Sequence, residues 1–468
     1  MELNRNYRNV HLIGIGGIGM SALGILAYNA GMKVTGSDAF SNENIEMLRE
    51  KYEIEVNIPQ KSEVINADLD LVVISSAIKE DNEELREARR KNIKIIERAN
   101  FLNLLTTSRK QIAVAGTHGK TTTSALLGET LYYGGCDPLV FTGGIDKLFH
   151  SNIHDGKGEL FVFEADESDA SFHHFNPYAA IITNIEEDHV DFYSSMNDIE
   201  ESFDFFISKI QRLLILNHDD LNCRKFVKSV KNISIRTYSI SDDSADYWIS
   251  AVTLDRDGLF FDIGSKKHGK ITDFHLPHRG YHNLSNCLSV IAFVLELDLM
   301  KIDTLRDSLK KFKGVKRRFD VIGKFHNCLI VDDYAHHPSE IGSVLSSCND
   351  HFGVEYCKKN LVIIFQPHRY SRLKKFYKEF AAVMGKYPFK RLILAPVYSA
   401  GEPQMEGISS ELIFNLLEEK QNLCLSQDLD DVFNNIFQNT EDNEIIIFLG
   451  AGDINRVAYR LVNSNDNL

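Results

Sequence analysis

Along the first third of the chain, short β-branched runs alternate with longer helix-like stretches. Asn9–Ile15, Lys33–Gly36 and Leu71–Ser75 are apolar runs, which predicts strands. Ile18–Ala30, Glu43–Tyr52 and Asp81–Lys91 carry helix-like patterns. Strands alternating with helices predict a parallel sheet with crossover helices. A second unit opens near Ser108. Gln111–Ala115 reads as a buried strand, a glycine loop follows, and Lys120–Tyr133 reads as a helix; Glu159–Glu164 and Ala179–Asn184 are further strands. Between Ala245 and His275, strand-like runs are broken by Asp255-Arg-Asp-Gly258, a hairpin signal, so part of this unit is expected to be antiparallel. A third unit starts around the basic stretch Lys311–Arg318. Its strands are Cys328–Val331, Leu361–Phe365, Arg391–Ala395 and Glu444–Leu449, with helices such as Ser371–Met384 between them. The expected class is α/β in three domains, 1–107, 108–320 and 321–468.

Composition narrows the possibilities. A chain of 468 residues is long enough for roughly three domains of about 150 residues. With 43% hydrophobic and 25% charged residues it is ordinary globular material, not a disordered chain. No apolar run approaches the roughly 20 residues of a membrane helix, and the N-terminus has no apolar export segment. A net charge of −14 argues against sequence-independent nucleic-acid binding, while leaving room for local basic pockets. The seven cysteines are scattered without a CxxC pair, as expected of reduced thiols in a cytoplasmic protein.

Candidate chemistry clusters where strands are expected to end. Gly14-Ile-Gly16-Gly17-Ile-Gly19 follows a strand and opens a helix, and Asp38 follows the next strand. Such a loop lets backbone approach a diphosphate at a helix N-terminus. Alone it fits a dinucleotide, another nucleotide diphosphate or a tight turn packed for its own sake. Ala115-Gly116-Thr117-His118-Gly119-Lys120-Thr121-Thr122-Thr123 is sharper. Its glycines free backbone N–H groups to wrap phosphates, Lys120 reaches the terminal phosphates, and the Thr121 hydroxyl suits Mg²⁺. It departs from the longer Walker pattern, since Val114 stands where that pattern places its first glycine. Two acidic segments, Glu164-Ala-Asp166-Glu-Ser-Asp169 and Asn184-Ile-Glu186-Glu-Asp188-His189, end successive strands of the sequence and offer oxygen ligands to a divalent ion. Each by itself reads as a solvated acidic loop.

Other groups are more equivocal. His282-Asn283-Leu-Ser-Asn286 precedes an expected helix Cys287–Leu297; its amides suit a base edge or a helix cap. Lys316, Arg317 and Arg318 lie at the second boundary, where a hinge delivers a cation on closure. Asp332-Asp333-Tyr-Ala-His336-His337 invites a zinc reading that adjacent histidines make poor. Arg369 and Arg372, three residues apart at a helix start, fit either a carboxylate grip or a solvated surface pair.

Taken together, these strings resemble the Mur ligases, ATP-dependent amide-forming enzymes of peptidoglycan precursor synthesis. The resemblance runs from Gly14-Ile-Gly-Gly-Ile-Gly-Met20 and Ser75-Ser76-Ala-Ile78 through Gly116–Thr123, Glu164–Asp169, Asn184–His189 and Lys316-Arg-Arg-Phe319. It continues through Asp332–Pro338, Gln366-Pro-His368-Arg369, Pro396–Glu402 and Gly450-Ala-Gly-Asp-Ile454. It is nearest to the branch that joins L-alanine to UDP-N-acetylmuramate. The resemblance implies a Rossmann-like N-terminal domain, a central P-loop ATPase-like mixed sheet binding ATP and Mg²⁺, and a Rossmann-like C-terminal domain that closes over the substrates. Gly14, Gly16, Gly17, Gly19, Met20, Ser37, Asp38, Ser75 and Ser76 would then hold the UDP-sugar. Gly116 to Thr122, with Asn283 and Asn286, would hold ATP, and Thr121, Glu164 and His189 the metal. Lys120, Arg318, Asp333 and His336 would be catalytic, and His368, Arg369 and Arg372 would meet a carboxylate. The expected partners are these small molecules, without nucleic acid or membrane insertion, in a monomer or weak homodimer. The rivals are a tripeptide-recycling ligase of the same superfamily, an NAD-dependent oxidoreductase and a non-catalytic nucleotide-binding protein. The last two leave the phosphate loop or its lysine unexplained.

Overall fold

The computed structural model describes residues 7–75, 77–188, 192–227, 232–255, 257–418 and 420–465. The chain forms two compact units, one of Met1–Ile185 with Glu200–Arg236, the other of Glu186–Ile199 with Thr237–Leu468.

The first unit begins with a parallel sheet of β1 (Asn9–Ile13), β2 (Lys33–Ser37), β3 (Glu55–Asn57), β4 (Leu71–Ile74) and β5 (Lys94–Glu97), in the order β3-β2-β1-β4-β5. Helices cover both faces of such a sheet, so its central strands are mostly apolar. Val10, Leu12 and Ile13 of β1 and Leu71, Val72 and Val73 of β4 are fully buried. Strand order reverses at β1, and ligands bind at the strand C-termini beside such a reversal. The Gly14–Gly19 loop leaves β1 at that edge.

The next strands are β6 (Lys110–Ala115), β7 (Leu139–Asp146), β8 (Ser151–Asp155), β9 (Leu160–Glu164), β10 (Ala179–Ile182) and β11 (Leu213–Asn217). They run β11-β10-β6-β9-β7-β8, all neighbours parallel except the β7–β8 hairpin. β6 lies between β9 and β10. The phosphate loop after β6 is therefore flanked by the segments that follow Glu164 and Ile182, although those lie far away in sequence.

The chain leaves the first unit within β12 (Ser234–Ser239), and the second unit continues with β13 (Tyr247–Asp255), β14 (Gly258–Ser265) and β15 (Gly269–Leu276). β13, β14 and β15 form the antiparallel meander that Asp255–Gly258 predicts. The helix Tyr281–Glu296 follows, with a buried stripe that includes Leu284, Leu288, Ile291 and Leu295. Here the expectation is corrected. The helix starts at Tyr281, not Cys287, because Gly280 (φ +93°) turns the chain directly into it. Neither Asn283 nor Ser285 caps it.

A third sheet, β16 (Asp320–Phe325), β17 (Cys328–Asp333), β18 (Leu361–Phe365), β19 (Arg391–Leu394), β20 (Leu423–Leu425) and β21 (Ile445–Leu449), runs β16-β17-β21-β18-β19-β20. Only β16 is antiparallel to its neighbour. Apolar clusters cover both faces. The helix Tyr370–Lys386 contributes Leu373, Phe380 and Met384, all buried on one stripe. Each such side chain stabilises by about 1.5–3 kcal/mol. All seven cysteines are free. Among the described residues no helix is long and apolar enough to cross a membrane.

Candidate active site

The glycine loop is closed by backbone and by one carboxylate. Gly14 (φ +78°) and Ile15 donate their N–H groups to the Ser37 carbonyl at 2.8 and 3.0 Å. Asp38 Oδ2 accepts from Gly16 N at 2.8 Å. A Cβ on Gly16 would stand 2.8 Å from Asn42 Nδ2 and 2.9 Å from Asp38 Oδ2. Asp38 and Gly16 thus fit one another. Ser37 is fully buried, and its hydroxyl donates to the buried Glu84, which also meets His11 Nε2 at 3.4 Å. The Ser37 carbonyl serves the loop while its side chain serves the domain core. Gly17 N donates to Gly14 O, Met20 is buried, Gly19 faces Arg98, and Ser75 is half-buried after β4. Ser76 lies outside the described residues.

The phosphate loop is tied to the end of β10. Thr117 N donates to Asn184 O at 3.0 Å and His118 N to Asn184 Oδ1 at 2.8 Å. Thr183 Oγ1 and Asn184 Nδ2 donate to the His118 carbonyl at 2.6 and 3.0 Å. A Cβ on Gly116 (φ +128°) would lie 2.2 Å from Thr183 Oγ1, so only glycine fits. Gly119 (φ +82°) starts the helix Lys120–Tyr133, whose first turn holds Thr121, buried, and Thr122, half-buried. Lys120 Nζ donates to the carbonyls of Gly116 (2.6 Å) and Thr117 (3.1 Å) and to Glu167 Oε1 (2.9 Å). Burial opposes this charge, but Glu167, Asp166 and Glu164 outweigh it and hold the ammonium above the usual lysine range. Glu164 accepts from Gly143 N at 2.8 Å. His189 lies outside the described residues.

In the second unit, Asp333 ends β17 and accepts from Phe319 N (2.6 Å) and Ala335 N (2.7 Å). Burial pushes its carboxyl up to about 6, against the pull of Arg318. The Arg318 guanidinium stacks on the Tyr334 ring, 5.4 Å from its centroid. His336 Nδ1 lies 2.9 Å from the Tyr334 carbonyl. A carbonyl only accepts, so Nδ1 carries the proton and Nε2 is the free base. Burial pulls this imidazole down to about 4. His368, whose ring centre is 5.5 Å away, is pulled to about 3 by burial, with His336 and Arg372 adding to it. Arg369 (φ +67°) turns the chain into its helix. Arg372 donates to Asp188 Oδ1 at 3.1 Å, both side chains buried, and Lys375 pairs with Glu187 at 2.9 Å. The surface-pair alternative for the two arginines is thereby corrected at Arg372, which holds a carboxylate of the chain itself. Asn283 Nδ2 donates to Arg279 O, and Asn286 is buried in the same helix.

Family models for the Mur ligase family catalytic domain, the Mur ligase middle domain and the Mur ligase glutamate ligase domain match residues 9–110, 114–294 and 317–452. The UDP-N-acetylmuramate–L-alanine ligase of Carboxydothermus hydrogenoformans is 38% identical over 456 residues, 97% of this chain and 96% of that protein. Its counterpart in Aquifex aeolicus is 35% identical, covering 97% of each. The chain belongs to the Mur ligase family. The crystal structure of a Thermotoga maritima UDP-N-acetylmuramate–alanine ligase superposes on this Mur ligase with a TM-score of 0.81 at 28% identity, over 98% of this chain and 99% of that one.

Reading the sequence alone missed three contributors. Glu167 was visible only as one carboxylate in an acidic run, and its selection as the partner of Lys120 needs the β6–β9 register. Asn184 was a strand end with no assigned task, and it anchors two loop N–H groups. Asp188 was an acidic loop residue, and its pairing with Arg372 spans 184 positions. No local pattern carries that information.

Proposed function

We propose that this Mur ligase joins L-alanine to the lactyl carboxylate of UDP-N-acetylmuramate in the cytoplasm, cleaving ATP to ADP and phosphate. One observation carries the reading. A fully charged lysine is locked into a phosphate loop beside three carboxylates, in a chain similar end to end to ligases of that name. Domains 1–107, 108–320 and 321–468 divide the work, for the UDP-sugar, for ATP, and for the amino acid.

A carboxylate and an amine do not condense directly, because oxide is a poor leaving group. The lactyl carboxylate attacks the γ-phosphate of ATP, giving an acyl phosphate and ADP. The alanine amine then attacks the acyl carbon, and phosphate leaves with the carboxylate oxygen. Lys120 stabilises charge on the migrating phosphoryl group, and Gly116 to Thr122 position the phosphates. The surroundings of Lys120 suit a hard cation: oxygen donors from Thr121, Glu164 and Asp166, in a field negative enough to overcome burial of a charged lysine. Thr121, Glu164 and His189 would hold Mg²⁺, which would supply charge neutralisation at the phosphates. Arg318, Asp333 and His336 serve the nucleotide, Asn283 and Asn286 its base. His368 and Arg369 serve a substrate carboxylate, while Arg372, assigned with them from the sequence, is held by Asp188 and fixes the helix start that carries them. Gly14, Gly16, Gly17, Gly19, Met20, Ser37, Asp38, Ser75 and Ser76 serve the UDP-sugar.

The test is incubation with ATP, Mg²⁺ and UDP-N-acetylmuramate, offering L-alanine, serine, glycine or the tripeptide. Alanine-dependent release of ADP with a UDP-linked amide is the expected result. Preference for the tripeptide would replace this reading with the recycling ligase. With ¹⁸O in the lactyl carboxylate, one label should appear in the released phosphate.

A further inference from the structure

Arg98 opens the helix Arg98–Thr106, immediately after β5. Among the described residues this half-buried arginine makes no hydrogen bond and no ion pair. A free guanidinium held against protein surface gives up hydration without the bidentate contact it is shaped for. Its surroundings explain why it is kept.

On one side stands the glycine loop. A Cβ on Gly19 would lie 2.8 Å from Arg98 Nη1. Gly19 therefore makes room for this guanidinium, which rests on the first turn of the helix after the loop. On the other side is a cavity of about 80 Å³ lined by Arg98, Leu102, Phe141, Glu164, Asp166 and Phe175, among others. Opposite Arg98, its charged wall is two carboxylates, with Ser171 beside them. Glu164 already accepts from Gly143 N, and Asp166 Oδ1 accepts from Ser168 N. Arg98 thus stands between the uncapped start of the helix after the loop, which attracts an anion, and a pair of carboxylates that repel one.

We propose that Arg98 is a substrate-positioning residue, which grips the diphosphate of the UDP-sugar over Gly19 and sets the direction in which the sugar leaves the loop toward Glu164. This rests on the UDP-sugar reading above and deepens it. The guanidinium fork matches two phosphate oxygens, and a lysine supplies charge without the fork. Charge-assisted hydrogen bonds of this kind contribute about 1.5–3 kcal/mol, so removing them should weaken binding roughly 10- to 150-fold.

The experiment compares wild type, Arg98→Ala and Arg98→Lys by calorimetry with UDP-N-acetylmuramate, UDP and uridine, and by steady-state kinetics. Arg98→Ala should weaken UDP-N-acetylmuramate and UDP alike by about 10- to 150-fold. Uridine and ATP affinity should hold, and KM for the UDP-sugar should rise more than kcat falls. Arg98→Lys should recover part of the loss. Wild-type protein that binds UDP and UDP-N-acetylmuramate while Arg98→Ala binds them equally well overturns the proposal and leaves the function reading intact. A uniform loss for uridine and ATP as well, with a lowered Tm, overturns it in favour of a packing role. Wild-type protein that binds neither UDP compound overturns the UDP-sugar reading itself.

Discussion

The phosphate loop of the first unit and the Asp333–His336–His368–Arg372 group of the second solve opposite electrostatic problems. Around Lys120 the protein concentrates carboxylates, so a buried cation stays charged. Around Asp333 it withdraws solvent without supplying full compensation, so the carboxyl rises to about 6 and His336 and His368 fall to about 4 and 3. The first region is a charge held by a short loop and two adjacent strand ends. The second is a set of groups poised near neutrality, on separate elements, with one buried ion pair between Arg372 and Asp188. Pre-organised charge suits phosphoryl transfer, where little bond chemistry falls to the protein. Neutral nitrogens and a carboxyl near its midpoint suit groups that accept or pass protons.

The sharpest way to break this contrast is Lys120→Ala. Turnover should fall by about 10²–10³, since an electrostatic stabiliser is lost. Stability should fall too, by about 1–3 kcal/mol, because Glu167 and two carbonyls lose their buried donor. Turnover within tenfold of wild type would remove the lysine from the mechanism.

Gly16→Val should come next. The new side chain meets Asn42 and Asp38, so the loop must open. KM for UDP-N-acetylmuramate should rise by at least tenfold while the ATP dissociation constant stays within about twofold. An equal effect on both ligands would mean that the two loops are not separate sites.

Asn184→Ala leaves His118 N without its side-chain acceptor and costs about 1–3 kcal/mol. It should raise KM for ATP more than KM for alanine. Parallel kinetics would show whether the loop depends on this anchor.

In the second region, a double-mutant cycle of Arg372→Met with Asp188→Asn should give a coupling on the order of 1–3 kcal/mol, read from urea midpoints. A coupling near zero would mean that the pair is not formed in solution.

The smallest effect is on pH dependence. Between about pH 6.5 and 4 the unfolded chain protonates His336 and His368 while the folded chain does not, so these groups lower stability as pH falls. Asp332 and Asp333, both raised to about 6 by burial, act in the other direction, since the folded chain keeps protons that the unfolded one has released. His336→Gln removes one histidine contribution. The stability of the variant relative to wild type, read from urea midpoints, should therefore rise as pH falls across that window. A difference that stays constant with pH would show that His336 titrates normally in the fold.

Much of this was legible before any coordinates. β1, β4, β6, β18 and β21 are near-continuous apolar runs, as strands covered on both faces must be, and glycines mark where the chain turns at their ends. The Asp255–Gly258 hairpin follows from a turn signal of the same local kind. The side-chain pattern puts the start of the Tyr281 helix too late, because His282 and Asn283 look like loop residues. Gly280 decides the start by a backbone angle that no side-chain pattern reports.

What the sequence by itself determined is therefore local: the class of each long element, the glycine loops, and the presence of Lys120, its acidic neighbours and the histidine–arginine strings. The tertiary structure alone decided which of those groups meet. Parallel sheets pair strands that are distant in sequence, so register chooses Glu167 for Lys120 and Asn184 for His118, and turns the Ser37 hydroxyl inward to Glu84. It also places Arg98 over Gly19. Such pairings depend on which strand neighbours which and on how deeply each group is taken from water. Those are properties of the packed chain, and no short segment holds them.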